Sequence, residues 1–188
     1  MLDKTPTGKL LKPYSGGTQA KIVVNDFELK TSGVDAQVSL AMKEYLVNIL
    51  NSAKRFKIVA PQDADLIVSI GIVDFVPENS GGKAGLAGGG SSASSFMGGL
   101  LGEVLNKANM QLSLKIIDRA TSEVISSRDV QSQVVEYPGK KIKFPQDKAF
   151  RAGLSDYSGT PMGKVIYDCI VETGRFIVQD VPQNYYKR

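Results

Sequence analysis

The feature that most limits the fold is an amphipathic helix between two predicted strands, residues 21–27 and 56–59. Ser32 or Asp35 is suited to begin this helix, because a short polar side chain accepts a hydrogen bond from the free amides of the first turn. A strand–helix–strand unit must pack on a sheet, so the rest of the chain is expected to supply that sheet. Apolar residues recur at steps of three and four along the helix and lie on one face: Val38, Ala41, Met42, Tyr45, Leu46, Ile49 and Leu50.

Three later segments have the pattern of strands. Large apolar residues alternate with smaller or polar ones in residues 66–76, as in a strand with one face on a core. Residues 110–117 show a similar alternation, and 123–135 follows after a polar turn, which indicates an antiparallel hairpin. In that turn, Asp118 and Ser122 can hydrogen-bond nearby backbone amides.

A second long helix is predicted at residues 160–178. Thr160 is a capping residue, and Pro161 stands at the first helical position, where a missing amide costs no hydrogen bond. Cys169 lies within the apolar stripe, so it is interpreted as a small packed hydrophobe and not as a reactive thiol. The stripe consists of Val165, Ile166, Cys169, Ile170, Thr173, Phe176 and Ile177.

Several residue types that enzymes and metal sites commonly use are scarce. The 188 residues include no histidine and one cysteine, so the commonest general base and metal ligand are absent and no internal disulfide can form. We therefore predict no enzymatic activity, no cofactor and no metal. An enzyme is the alternative, and its best candidates are carboxylates: Asp26, Asp65 and Asp74.

The charge distribution argues against nucleic-acid binding. The net charge of +4 is modest, the cations are scattered outside residues 140–151, and tryptophan is absent. Proteins that bind nucleic acids concentrate cations and stacking aromatic rings on one surface. No run of about eighteen apolar residues predicts a transmembrane helix.

Two segments, residues 78–109 and 132–159, interrupt the regular pattern. The first is rich in glycine and is interpreted as a mobile surface loop, as a segment ordered by a partner subunit or a membrane, or as a phosphate-binding loop, although no nucleotide motif follows it. The second places lysines among apolar residues and two prolines, which is typical of a solvated loop or of a hairpin that faces a partner or a membrane. The candidate contact residues are Leu86, Phe96, Met97, Leu100, Leu101, Lys140, Lys141, Ile142 and Phe144.

These elements predict one α+β domain: a mixed sheet of about four strands, with two long helices packed on it and two irregular insertions, which are possible β-hairpins. The domain is expected to cover residues 21–180. A flexible N-terminal arm at residues 1–20 and a short C-terminal tail at 181–188 are expected on either side.

Several short motifs, in this order and spacing, resemble the CsgG family of curli production and export lipoproteins, which have a TolB-like periplasmic α/β domain. The resemblance covers most of residues 20–180. The motifs are KRFKIV at 54–59, ADLIVSIG at 64–71, the start of the glycine-rich insertion at 80–82, IDRATSEVI at 117–125 and IVETGRFI at 170–177.

The resemblance implies an outer-membrane-associated lipoprotein that forms a homo-oligomer and exports protein subunits. Each subunit of the family's pore-forming members contributes two membrane hairpins, which would fall here on the two insertions. This sequence departs from the family in three places: the turn 28–34 is too short for the constriction loop, the link 60–63 lacks a helical excursion, and the family's C-terminal helix is absent.

We therefore expect a cell-envelope component that acts in the secretion or assembly of a surface structure, with an exported or envelope protein as its partner. The alternative is a soluble periplasmic adaptor or assembly lipoprotein that binds a protein partner without forming a pore. Neither a signal peptide nor a lipidated cysteine is visible in this numbering. The expected location, periplasm or outer membrane, therefore follows from the resemblance alone.

Overall fold

The computed structural model describes residues 17–77, 106–136, 142–144 and 148–187. Within them, six strands form one mixed sheet, and three α-helices accompany it. The strands are β1 (Ala20–Val24), β2 (Glu28–Leu29), β3 (Phe56–Ile58), β4 (Leu66–Val76), β5 (Asn106–Asp118) and β6 (Val124–Glu136). The helices are α1 (Ala36–Ser52), α2 (Lys148–Leu154) and α3 (Pro161–Asp180).

The sheet has the strand order β3-β1-β4-β5-β6, and β2 pairs with β4 beyond the end of β1. β1 runs parallel to both β3 and β4, and β2 runs parallel to β4, whereas β5 is antiparallel to both β4 and β6. The strand–helix–strand unit predicted at the start of the domain is thus a parallel crossover through α1. The short β3 and the thirteen-residue β6 lie at the two edges of the sheet.

Both long helices begin where their capping residues predict. Asp35 accepts a hydrogen bond from the Val38 amide at 2.9 Å, which satisfies a free donor in the first turn of α1. Thr160 Oγ1 accepts from the Gly163 amide at 3.0 Å at the start of α3. Of the two caps considered for α1, the structure therefore selects Asp35.

The core lies between the helices and one face of the sheet. α1 and α3 pack against each other, and α3 lies across β5 and β6. Cys169 is 1% exposed in this core, and its thiol donates to the Met110 carbonyl at 3.7 Å. Burial raises the pKa of this thiol to about 12, so Cys169 is a packed apolar residue, as predicted.

The predicted α+β class is confirmed, although the sheet has more strands than expected. The predicted first strand, 21–27, ends earlier in the structure, because the chain leaves the β1 ladder after Val24. It returns to pair with β4 as the separate strand β2, where Glu28 lies opposite Gly71.

The expectation that residues 132–159 lie outside the core is wrong at both ends of that segment. Its first residues belong to β6, which pairs with β5 as far as Glu136. Its later residues form α2, in which Phe150 is 0% exposed and Leu154 is 1% exposed. The Phe150 ring packs edge-on against Tyr45 of α1, with centroids 5.5 Å apart. The apolar contact between α2 and α1 therefore makes α2 part of the folded domain.

The folded domain also extends beyond both predicted boundaries. Ala20 is buried in β1, whereas the sequence predicts that it belongs to the N-terminal arm. At the other end, residues 183–187 form a turn of 3₁₀ helix in which Tyr185 and Tyr186 are buried. The Tyr186 ring lies against Phe56, with centroids 6.0 Å apart, so this part of the predicted tail packs on the core.

Candidate functional site

Three strands meet at one end of the sheet, which we call the insertion end. β4 ends there at Val76, β5 begins at Asn106 and β6 ends at Glu136. Asn106 lies opposite Glu136 in the β5–β6 ladder. Residues 77–105 connect β4 to β5, and residues 137–147 connect β6 to α2. The topology therefore joins both predicted contact segments to the same end of the sheet.

A ladder of polar side chains links the three strands near the insertion end. Asn109 Nδ2 donates to Asp74 Oδ2 at 2.6 Å, and Gln131 Nε2 donates to Asn109 Oδ1 at 3.2 Å. The β4 ladder shifts its register between Ile72 and Asp74, and Asp74 then lies opposite Gln111. A hydrogen bond to an ionised acceptor is stronger than one between neutral groups. These bonds help to fix the three strands where both insertions begin.

The face of the sheet opposite the helices carries mostly polar side chains on β5 and β6. At the end away from the insertions it carries one apolar row across four strands, because the ladders place Val23, Ile67, Ile117 and Val124 side by side. Val124 is 49% exposed, whereas Val23 is 8% exposed. A row of four such residues is smaller than the apolar patches that usually mark protein interfaces. The polar character of the rest is typical of a solvated sheet face.

A charged cluster joins α3 to the edge strand β6. Arg128 donates from Nη2 to Asp180 Oδ1 at 2.8 Å and from Nε to Oδ2 at 2.5 Å, and Ser126 donates to Asp180 Oδ2 at 2.6 Å. The Arg128 guanidinium also lies 4.4 Å from the centroid of the Phe176 ring. The hydrogen bond from Arg128 lowers the pKa of Asp180. Sequence reasoning missed this pair, because its members are 52 residues apart.

The lowered pKa of Asp180 predicts a loss of stability in acid. A carboxylate whose pKa is lower in the folded state stabilises the fold above its unfolded pKa of about 4, and this stabilisation is lost as the pH falls through the folded value. We expect Asp180→Asn to make the free energy of unfolding less dependent on pH below about 4.

Urea unfolding measured between about pH 2 and 6 checks this prediction. Glu44→Gln, at an exposed position of α1, is the matched control. It is expected to leave the slope of the unfolding free energy against pH unchanged. If the free energy of unfolding of Asp180→Asn depends on pH as strongly as that of the unchanged protein, the stabilising role of the Asp180 carboxylate is contradicted.

Asp118 has a structural role in the β5–β6 turn, as predicted. Its carboxylate accepts from the Thr121 amide at 2.9 Å and from the Tyr185 hydroxyl. The hydrogen bond from Tyr185 is the largest of the effects that lower the pKa of Asp118. Ser122 has φ = 61°, and its amide donates to the Asp118 carbonyl at 2.8 Å. Asp118 therefore fastens the C-terminal 3₁₀ turn to the hairpin.

Most predicted contact residues lie outside the described residues. Of the other two, Ile142 is half-buried. The Phe144 ring packs against Phe150 and Tyr167, with centroids 5.3 Å and 5.7 Å apart, which favours a structural role for Phe144. The residues outside the described part, whose contact role stays a prediction, are Leu86, Phe96, Met97, Leu100, Leu101, Lys140 and Lys141.

The three candidate catalytic carboxylates do not converge on one site. Asp65 precedes β4, and Asp74 lies near the other end of that strand. Because a strand rises by about 3.3 Å per residue, the two are about 30 Å apart. Asp26 lies at an exposed position and pairs with Lys43 at 2.7 Å.

Among the described residues, no group of three His, Cys, Asp or Glu side chains could hold a metal ion. No helix in the same part of the chain has the length and apolar character to cross a membrane.

A shallow hollow between β2 and α1 has a volume of about 240 Å³. Phe27, Leu29 and Leu40 contribute apolar surface to it, and the Asp26–Lys43 ion pair lies at its rim. Pockets for drug-sized ligands are usually 300–1,000 Å³ and enclose most of the ligand. The hollow is smaller than such pockets.

No protein-family model matches this chain, and no curated protein matches its sequence. Solved structures of bacterial proteins do resemble the fold. The hypothetical protein CT253 from Chlamydia trachomatis aligns with a TM-score of 0.56 at 9% identity, over 86% of this chain and 97% of that chain. A PelC dodecamer from Paraburkholderia phytofirmans aligns with a TM-score of 0.50 at 10% identity, over 91% of this chain and 94% of that chain.

Lipoprotein GNA1162 from Neisseria meningitidis aligns with a TM-score of 0.42 at 9% identity, over 66% of this chain and 88% of that chain. That score is too low to support an argument. At these identities, the structural likeness to CT253 and PelC shows the fold alone. The chain thus shares an α+β fold with solved bacterial proteins, and its membership of the CsgG family stays a prediction.

Proposed function

We propose that this chain is a non-enzymatic component of the cell envelope, which self-associates and acts in the secretion or assembly of a surface structure. The observation that carries the proposal is the insertion end, where one sheet holds the start of both insertions in fixed register. The likeness in fold to a protein solved as a dodecamer supports self-association. The motifs that resemble the CsgG family support a periplasmic lipoprotein at the outer membrane.

In this proposal the α+β domain is a rigid scaffold and the insertions make the contacts. The polar ladder near the insertion end fixes the strands from which the insertions leave. Residues 78–105 carry the bulky apolar side chains for contact with a neighbouring subunit or with the exported chain, and Lys140 and Lys141 add two cations on the second insertion. The partner is an exported or envelope protein.

A soluble periplasmic adaptor without a pore is the second candidate, and one observation favours it. The resemblance to the CsgG family implies two membrane hairpins, each of which needs two strands of about ten residues. Residues 137–147 separate β6 from α2, and this is about half of the roughly twenty residues that one hairpin needs. The second insertion is therefore too short for such a hairpin beside β6 and α2.

Particle mass measured by light scattering in detergent and in buffer, followed by conductance in a planar bilayer, separates the two candidates. An assembly that conducts supports export, whereas a particle with a single partner and no conductance supports the adaptor. The role of the first insertion is tested by deleting residues 81–102. We expect the shortened chain to keep its far-UV circular dichroism and its urea midpoint while losing its higher assembly.

Asn51→Ser is the matched control for that deletion. Asn51 is exposed near the C-terminal end of α1, which leads into β3 at the end of the sheet away from the insertions, so this change is expected to leave the assembly unchanged. A shortened chain that unfolds would mean that residues 81–102 belong to the core. A shortened chain that assembles like the full chain would contradict the proposed contact role.

A further inference from the structure

β6 is an unusually long edge strand. It has thirteen residues and pairs with β5 on one side, and within the described residues no strand pairs with its other side. An exposed edge of this length presents a row of unpaired amides and carbonyls, which is a template for another strand. Proteins usually protect such edges with proline, lysine or inward-pointing charges. β6 contains no proline and no lysine, and five of its residues are valine or isoleucine.

Arg128 is an inward-pointing charge on β6, and it is neutralised within the chain. Arg128 lies on the helix side of the sheet, where Asp180 accepts two of its hydrogen bonds and Phe176 lies beneath its guanidinium. An isolated charge at this place would oppose the approach of a second strand. Because Arg128 is paired with Asp180, that protection is largely removed.

We propose that β6 pairs with β6 of a second copy of this chain, antiparallel and about a two-fold axis at Val130. This register uses the whole strand, since Val130 is its middle residue and Val124 then lies opposite the partner's Glu136. Asp129 lies opposite the partner's Gln131. The two sheets become one continuous sheet, with the helices of both copies on the same side.

The charges of β6 favour this register over the two neighbouring registers whose axes lie toward its N-terminus. A two-fold axis at Asp129 would place two aspartates opposite each other, and an axis at Arg128 would place two arginines opposite each other. Like charges directly opposite on neighbouring strands are destabilising. The axis at Val130 places Arg128 opposite the partner's Ser132, so no two like charges are opposed.

The helices leave room for the pairing. α3 lies across β5 and β6, and paired strands are about 4.8 Å apart. A two-fold axis perpendicular to the sheet and just beyond β6 therefore places the two α3 helices about 10 Å apart, the usual distance between packed helices. Glu172 and Arg175 of α3 are both partly exposed and pair with each other at 3.4 Å.

The inference names one contact within the self-association of the proposed function, and it uses no residue of the first insertion. The two are therefore separable by experiment in the full chain. Sedimentation equilibrium of the full chain is expected to show a dimerisation step. In Gln131→Asp, two like-charge pairs form across the axis, so the dimer Kd is expected to rise about 2- to 30-fold.

Two variants make this test specific to the register. Gln133→Asp adds the same charge to the same exposed face of β6 but lies opposite the partner's Ser127, so its effect is expected to be smaller. Asp129→Lys combined with Gln131→Asp places opposite charges across the axis, and it is expected to restore the Kd of the unchanged chain. Rescue by a second substitution distinguishes pairing from damage to the fold.

Hydrogen exchange gives an independent readout. Alternate amides of β6 are expected to become protected as the protein concentration rises, while those of the other edge strand, β3, do not. Equal effects of Gln131→Asp and Gln133→Asp, or no rescue by the double variant, would overturn the register. A full chain that assembles without any response to these variants would overturn the β6 contact and leave the proposed function standing. A chain that forms the β6 dimer but no larger assembly would support the β6 contact and contradict the proposed function.

Discussion

Replacing Phe150 by alanine is expected to lower the free energy of unfolding by about 3–5 kcal/mol, the usual range for a buried phenylalanine. Phe150 is 0% exposed, and its ring lies edge-on to the rings of Tyr45 and Phe144, at 5.5 Å and 5.3 Å between centroids. The substitution leaves a cavity between α1 and α2 and removes both aromatic contacts. Urea unfolding at equilibrium measures the change.

Lys148→Ala is the matched control, because Lys148 is an exposed residue of the same short helix. Its effect is expected to stay within about 0.5 kcal/mol. If Phe150→Ala costs no more than Lys148→Ala, α2 does not belong to the core. The insertion would then lie outside the domain, as the sequence alone indicates.

Gly163→Ala is expected to destabilise the fold by about 3 kcal/mol, at the upper end of the range for overpacked positions. A Cβ atom at this position would lie 1.9 Å from the Tyr157 carbonyl oxygen and 2.9 Å from the Phe144 ring. The first of these atoms is backbone, so it cannot turn away as a side chain can. The start of α3 must therefore move, and the hydrogen bond from the Gly163 amide to Thr160 is strained.

Gly174→Ala tests whether this cost comes from the close contact and not from the loss of a glycine. Its Cβ would lie 3.1 Å from the Ile49 Cγ2 methyl, much farther than the backbone contact at Gly163, and alanine favours a helix by about 1 kcal/mol over glycine. We expect a net change within about 1 kcal/mol. Thermal and urea unfolding of both variants give the comparison, and equal losses in the two would contradict the packing of α3 against Tyr157.

The regular elements could be predicted from the sequence because local signals agree with the fold. The apolar stripe and Asp35 locate α1, and Thr160 with Pro161 locates the start of α3. The alternation from Leu66 to Ile72 matches the first part of β4, and after the register shift between Ile72 and Asp74 the buried position moves to Phe75. In these segments the pattern of burial repeats with the period of the element, so each residue supports the same assignment.

α2 was missed because its signal is short. It has one pair of large apolar residues four positions apart, Phe150 and Leu154, with Arg151 and Gly153 among the residues between them. The segment before it contains two prolines and several cations, which are typical of a solvated loop. A helix of two turns gains most of its stability from tertiary packing, and that packing is not visible in local sequence.

The candidate site was predictable only in part. Glycine content and the loss of alternation locate the insertions, but the sequence does not show that both leave the same end of the sheet. The order of the strands in the sheet places both insertions at one end. The same order makes β6 an edge strand and brings Arg128 next to Asp180, which is 52 residues away in the sequence. Such contacts depend on long-range pairing, for which one sequence carries no periodic signal.

The central claim is that a rigid α+β domain assembles through contacts outside its core. An electron-microscope image of the purified full chain in detergent tests it most directly. The account predicts a closed assembly of many copies, and a ring with a central opening supports export. Isolated globules of the 20.2 kDa chain at every concentration would contradict self-association, and with it the proposed function.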